Sequence, residues 1–115
     1  MENKNLEAKQ LDELDAYSLY LEIGRELGGK QALPSDRDTL FALASAWMKK
    51  KRSQFQSAIC NNQNIKDLFK KYEKQEQRVD LILAIGDLIA GITIGVSPLT
   101  VSALIVKEGY ESLCC

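Results

Sequence analysis

Side chains that commonly do catalytic chemistry are sparse in this sequence. It contains no histidine, the usual general base, and no Gly-x-Ser-x-Gly or phosphate-binding glycine motif. Two groups of carboxylates, Asp12 with Glu13 and Asp15, and Asp36 with Asp38, occur at expected helix starts and surfaces. Carboxylates in such positions are typically caps or solvated charges. We therefore expect a protein that is not an enzyme and that uses no cofactor.

The cysteines predict neither a metal site nor a disulfide framework. The chain has three, Cys60, Cys114 and Cys115, an odd number in which two are adjacent and would form a strained bridge. No Cys-x-x-Cys occurs, and without histidine an ordinary zinc site is excluded. The amino terminus lacks the apolar core of a secretory signal. These features predict unpaired cysteines in a reducing cytoplasm.

Charge is segregated along the chain although the net charge is only -1. Residues 49–78 carry net +6, between flanks of -4 and -3. The interleaving of charged and apolar residues at helical spacing favours a solvated or intramolecularly paired basic segment, and anionic lipid is the alternative partner. Nucleic acid is disfavoured because Phe69 and Tyr72 belong by spacing to a buried face. The candidate basic patch comprises Lys49, Lys50, Lys51, Arg52, Lys70, Lys71 and Lys74.

The last third of the chain is far more apolar than the rest. Asp87 is the only charged residue in 81–106, a stretch long enough for a membrane span. The Gly95-Val96-Ser97-Pro98 segment divides it into two short pieces, and a carboxylate costs about 2.5–3.5 kcal/mol at the centre of a bilayer helix. A hairpin buried in a helical bundle explains the same pattern. The candidate interaction residues are Asp87, Gly91, Gly95, Leu99, Leu104 and Ile105.

Apolar periodicity predicts an all-α fold of about four helices. The Ser97-Pro98 pair is a typical helix start, and Ser35 is the expected cap of the second helix. Glycines at 86, 91 and 95 favour a bend in the third helix, and the four-residue spacing of Gly91 and Gly95 would also allow a close approach of two helices. The predicted helices cover approximately residues 6–27, 36–59, 65–95 and 98–113. The chain is then a single helical domain, 1–115, with amphipathic, charged helices over 1–78 and an apolar hairpin over 79–115.

Two functional hypotheses follow from this pattern. In the first, the chain is a cytoplasmic, non-enzymatic interaction module that binds itself or a larger protein through the apolar hairpin. In the second, it is a membrane-associated protein in which residues 81–106 insert and the basic segment 49–78 faces anionic lipid.

Overall fold

A computed structural model of the chain describes residues 2–28, 36–71 and 74–114, and these residues are organised entirely by α-helices and the turns between them. The helices are α1 (Glu2–Asp12), α2 (Ala16–Gly28), α3 (Arg37–Ile59), α4 (Gln63–Phe69), α5 (Gln75–Ile89), α6 (Pro98–Glu108) and α7 (Tyr110–Cys114). The predicted all-α class is confirmed. The predicted helix count is wrong, because three of the four predicted helices are each divided in two.

Local hydrogen bonds explain the divisions. The first predicted helix is interrupted at residues 13–15, where a carboxylate oxygen of Asp15 accepts the Ser18 backbone amide at 2.8 Å and starts α2 afresh. Because this bond stabilises the charged carboxylate, the pKa of Asp15 lies below its usual value. The last predicted helix ends early at Gly109, whose φ of 91° breaks α6 from α7.

The third predicted helix is also discontinuous. It ends as α4 at Phe69 and resumes as α5 at Gln75, where the Gln77 side chain accepts the Lys74 amide at 3.3 Å. Tyr72, which was predicted to lie on a buried face, is outside the described residues. Helix α5 then stops at Ile89, well before the predicted end near Gly95.

Two helix starts follow the sequence closely. The Ser97 side chain accepts the Thr100 amide, and Pro98 occupies the first turn of α6, as predicted. Helix α3 covers the predicted range, with Asp36 as its cap through the Thr39 amide at 3.1 Å. The cap predicted from the sequence, Ser35, is therefore wrong by one residue, because Asp36 accepts the free amide; Ser35 itself lies outside the described residues.

Helix α6 lies at the centre of the core. Its residues 100–106 are all buried, and it packs against α1, α2 and α5. The Ser102 hydroxyl donates to the Ile82 carbonyl at 2.5 Å, so this buried polar group is satisfied and joins α6 to α5. Asp12 of α1 is also buried and pairs with Arg78 of α5 at 2.8 Å and Lys107 of α6 at 4.0 Å.

Helices α2 and α3 form the most extensive helix pair of the fold. They approach so closely at Gly24 that a Cβ atom there would lie 2.3 Å from the Leu40 carbonyl oxygen. This contact requires glycine because the obstructing atom belongs to the backbone and cannot rotate away.

The expectation of unpaired cysteines is wrong. Cys60, which follows α3, forms a disulfide with Cys114 at the end of α7, 54 residues later in the sequence. The bond depends on the tertiary packing of α7 against α3, which spacing alone does not reveal. Cys115 lies outside the described residues.

Candidate interaction surface

The connection between α5 and α6 carries the most exposed large apolar side chain of the described residues. Ile94 is 84% exposed, whereas its neighbours Thr93 and Val96 are buried and anchor the turn to the core. Backbone bonds from the Ile92 amide to the Ile89 carbonyl, at 2.8 Å, and from the Val96 amide to the Thr93 carbonyl, at 3.0 Å, shape the connection. We call the exposed residues of this connection, together with Leu88 in the last turn of α5, the apolar tip: Leu88, Ala90, Gly91, Ile94 and Gly95.

The structure divides the candidate interaction residues among three environments. Asp87 is exposed beside the apolar tip, and Gly91 and Gly95 belong to the tip. Leu99 is half-buried and packs on Gly86, where an added Cβ would lie 3.0 Å from its Cδ2 atom. The remaining two lie in the core of the chain itself and are not available on its surface: Leu104, 0% exposed, and Ile105, 3% exposed.

The glycines of the tip do not form a helix contact. Gly91 and Gly95 lie beyond the end of α5, and a Cβ at either position would meet no atom within 4 Å. Gly95 adopts φ 90°, a conformation that suits glycine and turns the chain towards α6. Their four-residue spacing therefore serves the turn and not a close approach of two helices.

An acidic face lies on α5 next to the tip. It consists of Glu76, Asp80 and Asp87, whose spacing of four and seven residues places them on one side of the helix. All three are exposed, and none forms an ion pair or a hydrogen bond with another described residue. Lys9 of α1 borders the groove beside Glu76 and Asp80 without reaching ion-pair distance.

The residues of the predicted basic patch come from α3, from the end of α4 and from the segment before α5. Four successive residues point in four directions around a helix, so Lys49, Lys50 and Arg52 are exposed on different sides of α3 while Lys51 is half-buried. Lys70 and Lys71, at the end of α4, and Lys74, which precedes α5, are also exposed.

Lys50 lies on the side of α3 that leads to the tip. We call this side the Lys50 face: Leu43, Lys50, Gln54 and Ser57, which recur at intervals of seven, four and three residues. Leu43 is 42% exposed. Gln54 and Ser57 line a shallow depression together with Ile92, which follows the first residues of the tip. The Lys50 face and the apolar tip therefore adjoin.

Several polar contacts lie where the end of α6, far from the apolar tip, meets α7. The Tyr20 hydroxyl donates to the Glu108 carboxylate at 3.2 Å, and burial together with the Glu108 charge raises the pKa of Tyr20 to about 12. Arg52 donates to the Ser112 carbonyl at 2.6 Å, and Gln56 donates to the Leu113 carbonyl at 2.8 Å. The Tyr20 bond joins α2 to α6, and the Arg52 and Gln56 bonds attach α7 to α3.

A cavity of about 360 Å³ lies beside this attachment. Its apolar lining comes from Met48 and Phe55 of α3, Ile105 of α6 and Leu113 of α7. A second cavity, of about 640 Å³, flanks the same α6–α7 corner on the side of Lys66, Lys70 and Tyr110.

Comparison with known proteins does not assign the chain to a family. No family model matches the chain, and neither the curated proteins nor the solved structures give a significant match. Within residues 2–28, 36–71 and 74–114, no helix is both long and apolar enough to cross a membrane. The same residues contain no group of three metal-ligating side chains.

Sequence reasoning missed two features of these sites. The acidic face of α5 could have been recognised from the spacing of Glu76, Asp80 and Asp87 once the helix was predicted. The attachment of α7 had no comparable signal, because Arg52, Gln56 and Cys60 act on backbone and sulfur atoms more than fifty residues away.

Proposed function

We propose that the chain is a helical interaction module that associates with a second copy of itself. The apolar tip, flanked by the acidic face of one copy, meets the Lys50 face of the other. The observation that carries this proposal is the 84% exposure of Ile94 on a connection whose neighbouring residues are anchored in the core. Exposed apolar residues grouped in this way typically mark interaction surfaces.

Charge complementarity favours a second copy as the partner. Asp87 lies beside the tip without a cationic partner among the described residues, and Lys50 is exposed on the adjoining face without an acidic one. A two-fold axis near the tip would bring the Asp87 of each copy towards the Lys50 of the other. In such an isologous dimer the same two surfaces meet twice, so two symmetric Asp87–Lys50 ion pairs form.

A dimer interface of standard size would use only part of the accessible surface of the chain. A standard interface buries about 800 Å² on each partner. That is roughly a ninth of the 7125 Å² of accessible surface that this chain exposes. In the proposed dimer this area comes from the apolar tip, the Lys50 face and the acidic face.

The acidic face distinguishes this partner from an anionic membrane. Inserting the tip into lipid would bring Asp87 against negatively charged headgroups, whereas a basic cluster beside the tip would favour such lipid. The exposed cations of α4 and the segment before α5 are not part of the tip. A protein surface with a lysine opposite Asp87 is the better complement.

Light scattering over a range of protein concentrations tests the proposal. We expect a dimer whose population rises with protein concentration and falls in high salt. Ile94→Ser should raise the Kd of this dimer at least tenfold. Leu6→Ser is the matched control, because Leu6 is 56% exposed on α1 and lies outside both faces and the tip. It should leave the dimer unchanged.

Three results would overturn the proposal. They are a monomer at every concentration, an oligomer that Ile94→Ser and Leu6→Ser affect equally, and Ile94-dependent binding to vesicles of phosphatidylserine and phosphatidylcholine without self-association. The last result would identify a membrane-associated protein instead.

A further inference from the structure

The carboxyl-terminal helix α7 packs Tyr110 against the Phe69 ring of α4, with the ring centroids 5.4 Å apart. It has five residues, too few to be stable alone, and it follows Gly109, whose φ of 91° separates it from α6. One of its residues, Leu113, is buried. Its other attachments are the Arg52 and Gln56 side chains, the Tyr110 hydroxyl bond to the Cys60 carbonyl at 3.2 Å, and the Cys60–Cys114 disulfide.

The same helix covers apolar surface. Leu113 packs beside Phe55, which is fully buried, and Ile105, which is 3% exposed, at the cavity between α2, α3, α6 and α7. If α7 moved away, the side of this cavity that Leu113 and Ser112 provide would be lost, and the groove lined by Phe55 and Ile105 would face solvent. The main contacts of α6, which are with α1, α2 and α5, do not involve α7.

We propose that Cys60–Cys114 is a reversible redox site that controls the docking of α7. While the bond is intact, the end of α7 is held against the end of α3. Once the bond is reduced, α7 opens and closes without unfolding the rest of the protein, and the groove beneath it becomes accessible. Cys60 and Cys114 are both half-buried, so the bond lies at the edge of the core and not inside it.

The chemistry is thiol–disulfide exchange with a dithiol reductant. A thiolate of the reductant attacks one sulfur of the bond, forms a mixed disulfide and releases the other cysteine as a thiolate. The second thiol of the reductant then resolves the mixed disulfide. The protein bond gains two electrons and two protons and becomes two thiols, while the reductant becomes a disulfide.

Hydrogen exchange on the full chain tests this site, with dithiothreitol as the dithiol probe. Cys115→Ser is introduced first, so that only Cys60 and Cys114 can pair. Under native conditions we expect complete reduction, detected by alkylation and mass spectrometry. Amide exchange in residues 110–114 should then rise at least tenfold, while exchange in residues 101–106 stays unchanged.

A second variant separates loss of the bond from any effect of the reagent. Cys60→Ser in the Cys115→Ser background should show the fast exchange of residues 110–114 without dithiothreitol. Three outcomes overturn the proposal: reduction only in denaturant, unchanged exchange in α7 after reduction, or loss of protection in α6 together with α7. The last would mean that the bond supports the whole fold and does not act on α7 alone.

Discussion

Helix α6 and the apolar tip belong to the same apolar stretch of sequence yet have opposite environments. Residues 100–106 are all buried between three other helices, whereas Ile94, a few residues earlier, is 84% exposed. Both are rich in aliphatic side chains, so hydropathy does not distinguish them. What distinguishes them is whether neighbouring helices cover the segment. The comparison teaches that one apolar region can supply both the core and the surface proposed to bind a second copy.

The largest expected difference between the two regions is in stability. Leu104→Ala removes a fully buried side chain from α6 and should lower the free energy of unfolding by about 3 kcal/mol, because it loses apolar burial and leaves a cavity. Ile94→Ala should change it by less than about 0.5 kcal/mol. Urea denaturation followed by circular dichroism, at a concentration where the protein is monomeric, measures both. Equal losses would contradict the division into core and surface.

The ion pairs of Asp12 beside α6 are expected to make the next largest contribution to stability. Asp12→Ala should lower the free energy of unfolding by about 1–3 kcal/mol, because it leaves Arg78 and Lys107 without their buried partner. Glu13→Ala is the matched control, since Glu13 is the adjacent residue and is exposed. The same urea titration applies. If the two variants were equally stable, Asp12 would not hold α1, α5 and α6 together.

A small gain in the free energy of unfolding is expected from a change at Thr93, where the tip meets the core. The Thr93 hydroxyl is buried and has no hydrogen-bond partner within the described part of the chain. Thr93→Val should therefore raise the free energy of unfolding by about 1 kcal/mol, because it removes an unsatisfied polar group. Thr93→Ser keeps the hydroxyl and should show no gain. A loss of stability in Thr93→Val would mean that the hydroxyl is satisfied in solution.

Local signals in the sequence were sufficient for some elements and not for others. The start of α6 was predictable because Ser97 and Pro98 determine a helix cap within four residues. The break before α2 was missed because the apolar spacing continues across Asp15, and only the bond to the Ser18 amide shows that the helix restarts there. The disulfide was missed because it depends on how α7 packs against α3.

The candidate site was predictable to a similar degree. Asp87 was singled out as a lone charge, and Gly91 and Gly95 as small residues that favour a bend or a close approach of helices; all three are exposed, and the glycines form a turn beyond α5. Leu104 and Ile105 were singled out for hydrophobicity, which does not indicate a direction on a helix that is apolar on every side. Their burial depends on α1, α2 and α5, whose packing around α6 is a property of the whole fold.

Charge reversal across the proposed interface tests the central claim most directly. Asp87→Lys and Lys50→Glu should each weaken the dimer, because each places like charges opposite one another. An equimolar mixture of the two variants should associate again, since opposite charges then face each other in the mixed pair. Sedimentation velocity of the separate and mixed variants measures this. Recovery in the mixture is the predicted result, and a mixture that stays as monomeric as its components would contradict the account.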